Sequence, residues 1–198
     1  MRSFVRLLVL AVFVLCPVAA SAHVGIGDTH GLARGFGHPF SGLDHILAML
    51  AVGMLAAHLG GRALWLVPLA FVGVMALAGL AGAAAINVPF VETGIGLSVV
   101  VLGLAVALRL NLPTAAAMAL AGFFAIFHGH AHGAEMPATA SGLAYGAGFL
   151  CATCILHVAG LYIGITTTRL GAAYAAHAAR FAGTAMTLAG AAMLVGML

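Results

Sequence analysis

The sequence has very few charged residues, which make up 6% of its 198 positions, whereas 64% are hydrophobic. Soluble globular domains carry about 25% charged residues, so a fold of this size could not cover its surface with polar groups in water. The same composition excludes a disordered chain, which needs low hydrophobicity and high net charge. The composition therefore predicts an integral membrane protein that is surrounded by membrane lipid.

Lysine is absent, because all seven basic residues are arginines. This absence excludes a Walker A nucleotide site and a Schiff-base lysine in this chain, and we expect no organic cofactor. Two of the arginines, Arg2 and Arg6, lie in a predicted leader. Without them little net positive charge remains, so the basic isoelectric point does not indicate a nucleic-acid partner.

Histidine is the ionisable residue that the sequence has in quantity, with 10 histidines against 4 acidic residues. Ionisable side chains within a membrane are costly, and they commonly mark the paths of ions or protons. The histidine content therefore predicts that the protein handles ions or protons.

Residues 1–22 have the pattern of a cleavable signal peptide. A charged start precedes the apolar run 7–15, and a small-residue Ala-Ser-Ala cleavage site ends at Ala22. We expect cleavage after Ala22 to leave a single domain over 23–198. The alternative is an uncleaved first transmembrane helix.

The domain is predicted to be an all-α bundle of six transmembrane helices, because a span needs about 20 mostly apolar residues. The abundant glycine, 27 residues, allows such helices to approach closely. Six spans can form two inverted repeats of three, for which the sequence offers no evidence. The predicted spans lie near 40–59, 64–85, 92–110, 113–132, 141–164 and 179–198.

The arginines predict how the bundle is oriented. If the mature N-terminus is periplasmic, six spans return the C-terminus to the periplasm, and four of the five arginines beyond the leader fall on the cytoplasmic side. This distribution obeys the positive-inside rule. The four cytoplasmic arginines are then Arg62, Arg109, Arg169 and Arg180.

The first histidine motif is HPFSGLDH, residues 38–45, at the periplasmic start of the first span. On a regular helix His38 and His45 share one face but lie about 10 Å apart along the axis, so they cannot bind the same ion. Either they are successive ion stations, or Gly42 marks an irregular turn. Asp44 needs a partner at this depth, and a cation is the obvious candidate.

The second motif is FHGHAHGAE, residues 127–135, at the periplasmic end of the fourth span. On a helix His128, His132 and Glu135 share one stripe, whereas His130 points the other way. The two motifs lie at similar depth and can converge on a site of nitrogen and oxygen donors. Such donors suit Ni²⁺, Co²⁺ or Zn²⁺ better than Cu(I). The alternative for GHAHG is a flexible interfacial loop.

Further candidate ligands lie elsewhere along the chain. Cys151, Cys154 and His157 could form a station within the fifth span, or could pack as ordinary buried residues. His23 and His30 could capture metal at the entrance, or could belong to a disordered stub. This second group of candidate metal ligands comprises His23, His30, His130, Cys151, Cys154 and His157.

HPFSGLDH followed by AMLAVG, and later FHGHAHGAEMP, resemble the two signature segments of the HupE/UreJ family of nickel permeases. That family is associated with hydrogenase and urease gene clusters, and the resemblance extends over essentially the whole mature chain. It implies uptake of Ni²⁺ across the bacterial inner membrane, with Co²⁺ transport left open. The candidate metal ligands that match its motifs are His38, Asp44, His45, His128, His132 and Glu135.

We therefore expect a permease rather than an enzyme. One alternative is an intramembrane zinc-dependent hydrolase, in which the metal activates water. Another is a periplasmic metal buffer or sensor that does not transport. No defined catalytic motif separates these alternatives, and the sequence leaves open a homo-oligomer or a metallochaperone partner.

Overall fold

The computed structural model describes residues 28–136 and 141–197, and all secondary structure within them is helical, as predicted. The predicted leader and His23 lie outside the described residues, as does the side chain of His30. A short 3-10 helix, His38–Phe40, links the first two helices. The α-helices are α1 (Asp28–Gly37), α2 (Leu43–Leu59), α3 (Ala63–Ala83), α4 (Val91–Ala107), α5 (Thr114–Ala134), α6 (Ser141–Arg169) and α7 (Ala172–Leu194).

Three helices are long and apolar enough to cross a membrane: α3, α5 and α6. A fourth candidate combines Gly31–Phe40 with α2, and the two parts are bent by 77° relative to each other. Helix α4 is apolar but has 17 residues, or about 26 Å of helix. Helix α7 contains His177 and Arg180, which lower its hydropathy. Length and composition thus support up to four spans among the described residues, and the full count of six stays a prediction.

The first predicted span, 40–59, is not one straight helix. The chain turns at Gly42, whose backbone is extended (φ −98°, ψ 117°) immediately before α2 begins. The preceding 3-10 turn is closed by Ser41, whose hydroxyl donates to the carbonyl of His38 at 2.6 Å. The irregular turn at Gly42, one of the two interpretations of the first motif, is therefore present in the structure.

Helices α3 and α5 pack backbone to backbone through glycines. A Cβ atom added at Gly82 would collide with the carbonyl of His130. One added at Gly133 would collide with the backbone of Gly79. Glycine is required at these positions because the two parallel helices leave no room for a side chain.

Helices α2 and α6 pack in the same way as α3 and α5, as a parallel pair with close backbone contacts at glycines. Gly160 lies against the carbonyl of Leu50, and Gly53, three residues after Leu50, lies against the carbonyl of His157. The third pair, α4 and α7, is antiparallel: Gly103 faces the backbone nitrogen of Thr187, and Gly183 faces that of Ala107. The glycine contacts between α2–α4 and α5–α7 are therefore reciprocal: the α3–α5 pair corresponds to the α6–α2 pair, and the α4–α7 pair corresponds to itself.

The two ends of the bundle differ in charge. At one end the His58 Nε2 atom lies 2.9 Å from the carbonyl oxygen of Arg109, so α2 and α4 finish side by side. Arg62 and Arg169 lie at the same end, at the start of α3 and the end of α6. The acidic side chains with described positions, Asp44, Glu92 and Glu135, lie at the opposite end, near the starts of α2 and α4 and the end of α5.

The glycine contacts predict an unequal response to alanine. Gly183→Ala should lower the melting temperature of the detergent-solubilised protein, because its Cβ would collide with α4 and overpacking costs about 1–3 kcal/mol. Gly73→Ala, at a position on α3 with open space around it, should leave the melting temperature unchanged or raise it. Circular dichroism during heating measures both, and equal changes would contradict the role of the close contact.

Candidate metal centre

Three histidines from two helices form a buried cluster, which we term the inner group. His45 comes from the first turn of α2, and His128 and His132 come from the last two turns of α5. One ring nitrogen from each lies within 4.8 Å of the others, and both His45 and His128 are 0% exposed. The close approach of three imidazoles in an apolar interior is a suitable arrangement for a divalent cation.

A second cluster, which we term the outer group, comprises His38, His132 and Glu135. The Glu135 Oε2 atom lies 3.1 Å from His38 Nε2 and 3.4 Å from His132 Nδ1. The bend at Gly42 makes this cluster possible, because it brings His38 to the end of α5. The side chains of Glu135, His38 and His132 are 57%, 33% and 17% exposed, so this group opens to the surface.

His132 belongs to both groups. Its Nδ1 atom faces Glu135 of the outer group, whereas its Nε2 atom is buried and has no hydrogen-bond partner. The ring centroid of His132 lies 5.2 Å from that of His45 in the inner group and 4.9 Å from that of His38 in the outer group. The two groups are thus neighbours separated by one imidazole ring.

Hydroxyl groups hold the two innermost rings. The His45 Nε2 atom lies 3.1 Å from Thr153 Oγ1 of α6, and the His128 Nε2 atom lies 2.8 Å from Ser98 Oγ of α4. In both rings the other nitrogen, Nδ1, is buried without a hydrogen-bond partner. Each ring is therefore anchored at one nitrogen and has the other available as a ligand.

Two phenylalanines cover the histidines. The Phe149 ring centroid lies 4.5 Å from that of His132 and 5.0 Å from that of His45. On the other side, the Phe71 centroid lies 5.8 Å from that of His128 and 5.3 Å from that of His157. These rings exclude water from the inner group and lower the local dielectric constant, which strengthens electrostatic interactions there.

Asp44 is not brought into either group. Its carboxylate accepts a hydrogen bond from the backbone N–H of His45 at 2.8 Å. The side chain lines an open cavity of about 410 Å³ together with Glu92, Ile95 and Met193. Asp44 and Glu92 therefore place two carboxylates in a cavity beside the histidine groups rather than within them.

The second set of candidate ligands is also separate from the two groups. His130 is turned away, as its position on the helix predicts, and its Nε2 atom lies 2.7 Å from the carbonyl oxygen of Ile86. Cys151 and Cys154 are half-buried and belong to neither group. His157 is 2% exposed and neither ring nitrogen has a hydrogen-bond partner; its ring contacts Phe71, which also contacts the ring of His128.

The sequence matches the model of the family described as HupE / UreJ protein over residues 10–193. The chain belongs to the HupE/UreJ family. Protein HupE of Rhizobium leguminosarum bv. viciae is 53% identical to it over 180 residues, which cover 91% of this chain and 92% of that protein. No solved structure matches the chain. The family resemblance predicted from the two histidine motifs is confirmed.

Sequence reasoning missed several residues that shape the site in this HupE/UreJ chain. Ser98 and Thr153 hold the inner rings, Phe71 and Phe149 cover them, and Glu92 shares the cavity of Asp44. The two hydroxyl residues carried a usable signal, because a polar residue inside an apolar helix requires a partner. Neither phenylalanine differs in pattern from an ordinary core residue.

The geometry predicts opposite results for two neighbouring histidines of this HupE/UreJ chain. His128→Gln removes one of the three imidazoles of the inner group and, if that group binds a divalent cation, should lower the affinity for a cation such as Ni²⁺ by about 10- to 100-fold or more. His130→Gln, two residues away and facing Ile86, should leave the affinity nearly unchanged. Isothermal titration calorimetry of the purified protein measures both values, with melting temperatures as a control for folding. Equal losses would contradict the assignment of the inner group.

Proposed function

We propose that the protein is a permease that imports Ni²⁺, with Co²⁺ as a second candidate substrate. The observation that carries this proposal is the graded exposure of two adjacent ligand groups that share His132. Exposure falls from Glu135, at 57%, to His45 and His128, at 0%. A metal buffer needs one site, whereas a route into the bundle needs successive ones.

The outer group contains side chains that can capture a hydrated cation from the surface. Glu135 provides the negative charge that attracts a hydrated cation, and His38 and His132 lie beside it to replace water ligands. The inner group then offers the imidazole of His132 together with those of His45 and His128 on its other side. An ion moves between the groups by about the width of one imidazole, and moderate affinity at each step allows release.

The choice of nickel rests on two arguments. Imidazole and carboxylate donors without thiolate suit Ni²⁺, Co²⁺ and Zn²⁺. The resemblance of both histidine motifs to those of nickel permeases selects Ni²⁺ among these. The alternatives, a zinc-dependent hydrolase and a metal buffer, use the same ligand types and are distinguished by the uptake experiment below.

We further propose that α2–α7 cross the bacterial inner membrane, with the histidine groups at the periplasmic end. Removal of residues 1–22 would place both mature termini in the periplasm. The arginine-rich opposite end then faces the cytoplasm, in agreement with the positive-inside rule. The short α4 is slightly shorter than the hydrocarbon core, since its length is about 26 Å and the core is about 30 Å thick, and local thinning of the bilayer accommodates such a difference.

Uptake into proteoliposomes tests the permease function. The wild-type protein should accumulate radiolabelled ⁶³Ni²⁺, and both His45→Ala and His128→Ala should lower the initial rate by about 10- to 100-fold or more, because each removes a buried ligand. His177→Ala is the matched control, since that exposed histidine bonds only within its own helix in the structure.

Unlabelled Co²⁺ and Zn²⁺ added as competitors define the metal preference in the same assay. Binding without accumulation in the wild-type protein would support a buffer. Turnover of a substrate without metal flux would support a hydrolase. Either outcome would overturn the proposed import.

The orientation is tested by two asparagines in exposed loops at opposite ends of the bundle. Asn87 lies between α3 and α4, and Asn111 lies between α4 and α5. With the native cysteines replaced by serine, a membrane-impermeant thiol reagent should label Asn87→Cys in intact spheroplasts. It should label Asn111→Cys only after permeabilisation. The reverse pattern would contradict the proposed orientation.

A further inference from the structure

The hydroxyl groups of Ser98 and Thr153, which contact the inner rings, also form hydrogen bonds with backbone carbonyls of their own helices. Ser98 Oγ donates to the carbonyl of Ile95 at 2.6 Å, and Thr153 Oγ1 donates to the carbonyl of Phe149 at 3.0 Å. All four hydrogen-bonding partners of this arrangement lie in the buried part of the bundle, where water does not substitute for a missing partner. The two hydroxyls come from different helices, α4 and α6, yet they make the same pair of interactions.

The hydrogen bond from each hydroxyl to the backbone determines which partner donates in the hydrogen bond between that hydroxyl and the histidine. A hydroxyl has one hydrogen, and a carbonyl oxygen can only accept. When that hydrogen is donated to the backbone carbonyl, which lies within 2.6–3.0 Å of each hydroxyl, the hydroxyl oxygen can only accept from the ring. The Nε2 atoms of His45 and His128 must then carry the hydrogen, which leaves Nδ1 of each neutral ring with a lone pair that makes no hydrogen bond.

The surroundings of the Nδ1 atoms agree with this direction. Both Nδ1 atoms are buried and have no hydrogen-bond partner. The other tautomer would bury two N–H groups without an acceptor, and it would turn two ring lone pairs toward hydroxyl oxygens whose hydrogens point elsewhere. A buried donor without a partner is costly, so the geometry favours the same tautomer in both rings.

We propose that Ser98 and Thr153 are positioning residues that hold His128 and His45 as Nε2–H tautomers and thereby direct both Nδ1 lone pairs into the inner group. The inference rests on the proposed metal site and adds that two hydroxyl groups orient its histidines before an ion binds. The orientation and the tautomer of two of its three imidazoles are therefore fixed before the ion binds. Hydrogen-bonded partners of metal-binding histidines act in this way and contribute about 10- to 100-fold to metal affinity.

The experiment removes one hydroxyl at a time. Ser98→Ala frees the Nε2 atom of His128, and Thr153→Val frees that of His45 while keeping the side-chain volume. Thr153→Ser retains the hydroxyl and serves as the conservative variant. Thr187→Val is the matched control, because this threonine also donates to a backbone carbonyl, that of Gly183, but lies on α7 away from the histidines.

Two measurements are made on each purified full-length variant. Nitrogen-15 NMR of histidine-labelled, metal-free protein reports which ring nitrogen carries the hydrogen, with His45→Gln and His128→Gln used to assign the signals. Calorimetric titration with Ni²⁺ then reports the affinity. A purely structural role of the hydroxyls would change the melting temperature but would not change the tautomer of the facing ring.

We expect both rings to be Nε2–H tautomers in the wild-type protein. Ser98→Ala and Thr153→Val should each convert the facing ring to a mixture of tautomers and lower the Ni²⁺ affinity by about 10- to 100-fold. Thr153→Ser and Thr187→Val should leave both readouts near the wild-type values. Nδ1–H tautomers in the wild-type protein, or unchanged tautomers in both hydroxyl-free variants, would overturn the proposal.

The outcome is separable from that of the proposed function. The tautomers are measured without metal, so they decide the role of the hydroxyls even if the wild-type protein fails to transport Ni²⁺. Absence of Ni²⁺ uptake by a wild-type protein with both Nε2–H tautomers would overturn the permease function and not the tautomer assignment.

Discussion

The close approach of helix backbones is the constraint on which the candidate metal centre depends. Helix α5, which carries His128 and His132, is held against α3 because Gly133 leaves no side chain between them. Helix α2, which carries His45, is held against α6 by Gly53 and its contacts. Packing of small residues drives helix association in lipid, where the hydrophobic effect does not act between helices. The positions of the candidate ligands are thus determined by glycines that are not themselves candidate ligands.

The buried polar side chains near these helix contacts differ in whether their hydrogen-bonding atoms have partners. The hydroxyls of Ser98 and Thr153 each have a backbone acceptor and a ring partner, so they are fully used. The buried nitrogens without partners include Nδ1 of His45 and of His128 and Nε2 of His132. Because an unpartnered buried polar atom is unfavourable, the occurrence of one such nitrogen on each of the three rings of the inner group is a structural sign of a ligand.

The sequence allowed much of the site to be predicted, because a helical stripe is local. The spacing of His128, His132 and Glu135 places them on one side of α5 and turns His130 away. Asp44 was predicted as a ligand but lies outside both groups. Adjacent residues on a helix point about 100° apart, so Asp44 and His45 cannot enter the same group. The hydroxyl partners are 30 and 108 residues distant from their histidines, and no local pattern marks such a pairing. The reciprocal helix contacts depend on glycine register, which composition does not reveal.

The all-imidazole composition of the inner group also determines its charge balance. Imidazoles bind metal as neutral ligands, and the carboxylate of Glu135 lies in the other group, on the far side of His132. A divalent ion among His45, His128 and His132 would therefore keep its whole charge in a medium of low dielectric constant, where uncompensated charge is costly. The coordinate bonds would favour occupancy and the ion's uncompensated charge would oppose it, so the absence of a carboxylate from the inner group limits how tightly that group could hold a divalent ion.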